Sequence, residues 1–366
     1  MKRCIYALVL VLAMAAAALA GERAVEDGRG KSVVIPDKVE RVICSGPGSL
    51  RLLTYLQAQD RIVAVDDIET RRRAFDARPY SIANPQFRKM PVFGEFRGHD
   101  NPELILTLDP QPQVILKTYP TMGHDPDELA RKTGIPVVTL NYGNLFSYKK
   151  DLFRSLRIVG EVVGKEERAG AVIAYMQGLI DDLRQRTADI PADKRPTVFV
   201  GGVAFKGPHG YQSTEPAYPP FQFVNANNLA YREGLKGKEL SHADVSKEMI
   251  VKWNPDFLFL DLSTLQLGDE TGGLFELRHD PAYQTLTAVK QGKVYGLLPY
   301  NWYTSNFGCT LANAYFIGKL LYPGRFADVD PAAKADEIFT FLVGKPVFKD
   351  MDAMFRNLAY KPVPLR

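Results

Sequence analysis

Short apolar runs of strand length alternate with helical patterns along most of this chain. Arg41-Val42-Ile43-Cys44-Ser45 is followed by Ser49 to Leu56, where apolar residues recur at helical spacing. Arg61 to Asp66, Gln113 to Lys117 and Pro136 to Leu140 are further strand-length runs. Pro102 to Leu106 and Asp127 to Ala130 are helical stretches before the second and between the last two of these. Strands that alternate with helices predict a parallel sheet covered on its faces. The same grammar restarts at Pro196 to Val200 and continues through Phe257 to Asp261 and Lys293 to Leu298. The pattern therefore predicts two α/β lobes, over residues 33–164 and 195–330, with a helical extension over 331–366. Between the lobes, Glu166 to Thr187 contains no proline. Its Ala169, Val172, Ile173, Met176, Ile180 and Leu183 repeat every three or four residues. This predicts one helix about 33 Å long within residues 165–188, placed to join the two lobes.

The N-terminus has a different pattern. Met1-Lys2-Arg3 is a short basic start, Ile5 to Ala20 is almost unbroken apolar sequence, and Ala18-Leu19-Ala20 precedes Gly21-Glu22-Arg23. Small residues at the −1 and −3 positions after an apolar core mark a signal-peptidase site. The run is shorter than the ~20 residues that span a bilayer. Residues 1–20 are thus expected to be a signal peptide, and the mature protein a soluble exported one. Cys4 departs with the signal, so no cysteine stands at the cleavage point to carry a lipid.

Charge and cysteine content narrow the function. Loss of Lys2 and Arg3 lowers the net charge from +4 to +2, and no basic run or stripe remains. That balance argues against a nucleic-acid partner. Cys44 and Cys309 exclude a cysteine-rich scaffold or zinc site, and leave open either a disulfide or two buried thiols. Gly46-Pro47-Gly48 follows a strand, but position 51 is Arg51, so the third glycine of a dinucleotide loop is missing. There is no Gly-x-Ser-x-Gly elbow, HExxH helix or phosphate-binding P-loop. The five histidines, His99, His124, His209, His242 and His279, share no ligand spacing. An enzyme is not expected.

Several phrases, in order, carry a family resemblance. They are Arg41-Val42-Ile43-Cys44 with Leu53-Thr54-Tyr55-Leu56 and Asp60 to Val65; Asn101 to Gln111; Val245-Ser246-Lys247-Glu248 with Trp253-Asn254-Pro255-Asp256; and Asp280-Pro281-Ala282-Tyr283 with Ala288 to Tyr295. From about residue 33 to 325 the chain resembles the helix-linked periplasmic binding proteins of ABC importers for ferric siderophores, haem and cobalamin. Asp66 to Glu69 and Arg78-Pro79-Tyr80 resemble the iron-complex or haem-type receptor branch. The long loop from Phe205 to Asn228 departs from the cobalamin-type pattern. The resemblance implies two Rossmann-like lobes with parallel sheets, one long connecting helix and a ligand cleft between the lobes. It also implies a periplasmic location, delivery of an iron chelate to an ABC importer, a permease dimer as partner, a monomeric protein, and no cofactor apart from the cargo. A corrinoid or a nickel, zinc or cobalt complex is the alternative cargo, and an exported enzyme or a sensor subunit using the same cleft is the remaining alternative.

In that fold the ligand meets loops at the carboxyl ends of the strands. Those loops hold Arg78, Tyr80, Phe96, Arg97, Tyr119 and Tyr142 in the first lobe. In the second they hold Phe205, Lys206, His209, Tyr211, Tyr300, Asn301, Trp302 and Tyr303. Cations among aromatic rings suit a flat or anionic organic ligand. With 17 Tyr and 20 Phe, many rings must instead fill cores. Glu103 and Glu248 stand at equivalent helix starts in the two lobes. In the resembling family, acids at these places pair with arginines of the permease. Direct coordination of a metal by side chains is left open.

Overall fold

A computed structural model describes residues 21–71, 73–231 and 242–365. The expected signal peptide, residues 1–20, lies outside the described residues. The chain divides into two compact units. The first comprises residues up to Arg71, Gln86–Gly143 and Lys150–Ala171. The second takes in Asn144–Lys149, the described part of Arg72–Pro85, and the chain from Val172 onward. The predicted long helix is found over Glu166–Thr187, and the division falls within it.

In the first unit, β1 (Glu22–Glu26) and β2 (Ser32–Pro36) form an antiparallel pair. The main sheet has six strands: β3 (Val42–Ser45), β4 (Ile62–Asp66), β5 (Val92–Glu95), β6 (His99–Asp100), β7 (Val114–Thr118) and β8 (Val137–Leu140). Their spatial order is β6-β5-β4-β3-β7-β8, parallel except for β6. Strands β3, β7 and β8 are buried along their whole length, as continuous apolar runs require once both faces are covered. Ile43, Ala64, Phe93, Ile105, Ile115, Leu129 and Val137 form the core. The chain leaves β3 toward β4 and β5, then returns to the other side of β3 as β7. The order therefore switches between β3 and β7, and crevices form at the carboxyl ends beside such a switch.

In the second unit, β9 (Thr197–Gly201) is followed by β10 (Ser213–Thr214), β11 (Asn227–Asn228), β12 (Ala243–Asp244), β13 (Phe257–Asp261) and β14 (Val294–Leu297). Its main sheet runs β11-β9-β13-β14, all parallel, and switches between β9 and β13. The C-terminal part contains helices over Pro331–Val343 and Phe348–Met354. Its tail covers the open edge of β14: the Tyr360 N–H donates to Gly296 O at 2.9 Å, and the Val363 N–H to Val294 O at 2.8 Å. The α/β class and the parallel sheets read from the sequence are both present.

One placement differs from expectation. Arg78 and Tyr80, assigned by sequence order to the first lobe, belong to the second unit. The Phe75 ring lies 5.6 Å from that of Phe355, and Lys345 donates to Ala83 O at 2.8 Å. Packing against the C-terminal helices decides their membership, and sequence order carries no trace of such a long-range contact.

Candidate functional site

The carboxyl edge of the first sheet is built from left-handed turns. Arg97, Tyr119 and Tyr142 follow β5, β7 and β8, with φ of 66°, 50° and 56°. Non-glycine residues seldom adopt this conformation, and those that do cluster at functional sites. Arg97 is exposed, with its guanidinium 5.1 Å from the half-buried Phe96 ring. The Phe96 N–H donates to Asp67 Oδ1 at 2.9 Å, which fixes the start of the turn. Tyr119 is half-buried and its ring lies 5.9 Å from that of Tyr142. Tyr142 is fully buried, and its hydroxyl accepts a hydrogen bond from the buried Arg51. Burial holds that hydroxyl well above the ordinary tyrosine range.

Gly46-Pro47-Gly48 packs against the end of β7. Thr118 Oγ1 donates to Pro47 O at 2.9 Å, and a Cβ on Gly46, at φ 83°, would come within 2.8 Å of Thr118 O.

The second unit repeats one motif. After β9 come Phe205-Lys206-Gly207, with Lys206 exposed at φ 56° and its ammonium 5.3 Å from the Phe205 ring. Phe96-Arg97-Gly98 and Phe205-Lys206-Gly207 are thus one arrangement used twice: a ring, a left-handed cation over it, then glycine. His209 donates from Nε2 to Phe205 O at 2.7 Å. The His242 ring stacks on Phe205 at 4.4 Å and lies 5.4 Å from His209. Among the described residues, no group of three or more His, Cys, Asp or Glu could hold a metal ion.

The loop after β14 is knitted by one carboxamide. Asn306 Nδ2 donates to Tyr300 O and Trp302 O at 3.0 Å each. Asn301 Nδ2 donates to Ala204 O at 2.7 Å, joining this loop to the one after β9. Tyr303 is half-buried with φ 49°. Tyr300 donates its hydroxyl to Glu215 and lies in the interior, and Trp302 packs edge-on to Phe355. Tyr211 is fully buried between Phe199 and Tyr283. Arg78 is buried and bonded through Nε and Nη2 to the Asp76 carboxylate at 2.9 and 2.8 Å, and Tyr80 is buried beside it. Of the residues named from sequence, the half-buried or exposed ones are Phe96, Arg97, Tyr119, Phe205, Lys206, His209, Asn301 and Tyr303.

Glu103 and Glu248 are exposed in the first turns of Pro102–Leu106 and Lys247–Trp253. Both helices start on a side-chain cap, Asn101 in one and Ser246 in the other. Glu103 stands over an open groove of about 960 Å³, with Glu95, His99, Asp100 and the exposed Leu104 and Leu106 in its lining. Sequence reasoning passed over Arg51, Lys117, Glu215 and Asn306. The signal for Lys117 was available: it is a charged residue in a buried strand, directly after the apolar run Val114-Ile115-Leu116. Cys44 and Cys309 are both buried free thiols.

Half-buried rings and exposed cations thus stand together on loops at the carboxyl ends of the parallel strands of both sheets. Molybdate-binding protein MolA of Haemophilus influenzae is 24% identical over 334 residues, covering 84% of this chain and 87% of that protein. Its molybdate-bound structure shares the fold with a TM-score of 0.66, over 88% of this chain and 98% of that one. A periplasmic solute-binding protein from Veillonella parvula matches with a TM-score of 0.70 at 18% identity, over 94% and 98%. The iron-uptake system-binding protein of Bacillus subtilis is 23% identical over 196 residues, 53% of this chain and 57% of that protein. The chain belongs to the periplasmic binding protein family, which it matches over residues 42–300. It is therefore the ligand-capturing component of an ABC transporter, working with a membrane permease on a small-molecule ligand, and not an enzyme. Among the described residues no helix is long and apolar enough to cross a membrane.

Proposed function

We propose that this protein captures an iron chelate, a ferric siderophore or haem-like complex, in the periplasm and delivers it to an ABC importer. The observation that carries the reading is the repeated ring–cation–glycine turn, Phe96-Arg97-Gly98 and Phe205-Lys206-Gly207, once at each sheet's carboxyl edge. The exposed cations answer anionic groups on a ligand, and the rings answer apolar or flat organic surface. A bare oxyanion needs the cations but has no use for the rings. Tyr119, Tyr303, His209 and Asn301 flank these turns as further contacts. Arg78, Tyr80, Tyr142, Tyr211, Tyr300 and Trp302 act in this reading as the buried frame behind them. Removal of residues 1–20 releases the protein, which works as a monomer. Glu103 and Glu248 dock it to the two subunits of a permease dimer.

A second reading, capture of molybdate itself, is favoured by the long match to MolA. Titrating the purified mature protein with ferric catecholates, haemin and sodium molybdate, followed by absorbance and calorimetry, separates the two. Arg97→Ala and Lys206→Ala are expected each to weaken chelate binding by about tenfold or more, as loss of a charge-assisted bond of 1.5–3 kcal/mol implies. Phe96→Ala should weaken a chelate but not molybdate. Unchanged affinity in both cation variants would sink the anionic-cargo reading.

A further inference from the structure

Lys117 is a fully buried ammonium at the switch between β3 and β7. A lysine has three protons to donate, and here three acceptors surround it. Its Nζ donates to Asp100 Oδ2 at 2.6 Å, to Gly98 O at 3.1 Å and to Ser45 Oγ at 3.1 Å. The Lys117 and Asp100 side chains have no exposed surface. Ser45 is the register partner of Lys117 and the last residue of β3. Gly98 closes the Phe96–Gly98 turn, and its carbonyl also accepts the His124 N–H at 2.8 Å. Asp100 precedes Asn101, the cap of the Glu103 helix, and lines the groove beside it.

The turn is gripped closely. Gly98 has φ 74°, and a Cβ there would lie 2.7 Å from Lys117 Nζ; a Cβ on Gly123 would lie 2.1 Å from Gly98 O. Arg97, just before, holds a left-handed conformation that a side-chain-bearing residue keeps only when its surroundings impose it. A buried ion pair adds little net stability, since two neutral residues of similar volume often do as well. Stability alone therefore does not account for a lysine here, whereas a fixed tripod of donors accounts for the turn.

We propose that Lys117 is the positioning residue of the first unit's ligand-facing edge. Its ammonium holds the Phe96–Gly98 turn, and with it the Arg97 guanidinium, in the conformation offered to cargo. The same clamp ties that turn through Asp100 to the base of the docking helix. This rests on the reading of the edge as ligand-facing, but its test needs no ligand.

The experiment is residue-resolved amide hydrogen exchange on the mature protein, comparing Lys117→Met with Lys117→Met/Asp100→Asn. The single variant leaves a buried carboxylate without its cation and lowers the urea midpoint. The double variant is expected to recover most of that midpoint. Even so, the amides of Phe96, Arg97, Gly98 and His124 should exchange about tenfold faster or more, while those of Ile43 and Leu116 hold. Unchanged exchange in the turn overturns the proposal. So does an even acceleration over the whole unit, which would make the pair only a core staple. Gly98→Ala probes the same grip with the pair intact, and must loosen the same four amides. Normal cargo binding by Arg97→Ala would remove the ligand-facing reading and leave the clamp standing.

Discussion

Asp261 ends β13 at the switch of the second sheet, fully buried, with Oδ1 accepting the Ser263 N–H at 2.9 Å. Burial raises its carboxyl to about 7, and the Ser263 bonds only partly offset this. The unfolded carboxyl titrates near 4, so between about pH 4 and 7 the folded state holds a proton that the unfolded state has released. Stability is therefore greatest at the acid end of that window and falls as pH rises through it, by at most about 4 kcal/mol. Tyr218 and Tyr300, which interact with it electrostatically, are acids too, so neither supplies a compensating cation. Asp261→Asn should flatten the profile: its urea midpoint should change less than the natural chain's between pH 5 and 8. Parallel profiles for the two proteins would show that Asp261 is not the group responsible. Asp127 and Asp328 act in the opposite sense, each held at about 2 by bonds to arginine, so their contribution is lost only in stronger acid.

At the scale of elements, the exposed edge of β14 is managed by the C-terminal tail rather than by charge or proline. Tyr360 anchors that tail. Its ring stacks on Phe316 at 4.6 Å and on Phe348 at 5.0 Å, and its hydroxyl donates to Asn313 Oδ1 at 3.0 Å. Asn313 in turn donates to Leu298 O at 2.8 Å, at the start of the loop that carries Tyr300 to Tyr303. Tyr360→Ala empties a stacked slot and removes the donor to the buried Asn313 Oδ1, a change that costs about 3–5 kcal/mol. Its urea midpoint should fall accordingly, and the β14 amides should exchange faster than those of β9. A midpoint within error of the natural chain would show that the tail is dispensable. The long helix read from periodicity appears over Glu166–Thr187, because its unbroken apolar stripe is a local property, whereas the stretch read as Asp127 to Ala130 extends over Pro126–Thr133.

For the whole molecule, the docking reading makes a prediction that no single element can test. Glu103 and Glu248 lie outside the candidate cargo turns, so Glu103→Ala/Glu248→Ala should leave cargo affinity unchanged and abolish uptake in vesicles carrying the permease and its ATPase. Full uptake by the double variant would reduce both acids to first-turn residues that favour the helix dipole by about 0.3–1 kcal/mol. The family, the two α/β sheets and the cation-bearing turns were legible in the chain because each follows from short-range order: strand-length apolar runs, their alternation with helices, and phrases a few residues long. Whether a ring faces solvent or core was not legible, since Tyr119 and Tyr211 both follow strands and only packing buries one of them fully. Nor was the membership of Arg78 and Tyr80, the Arg51–Tyr142 bond or the Lys117 clamp. Each depends on partners brought together from distant parts of the chain, and a pattern that records neighbours in sequence cannot record neighbours in space.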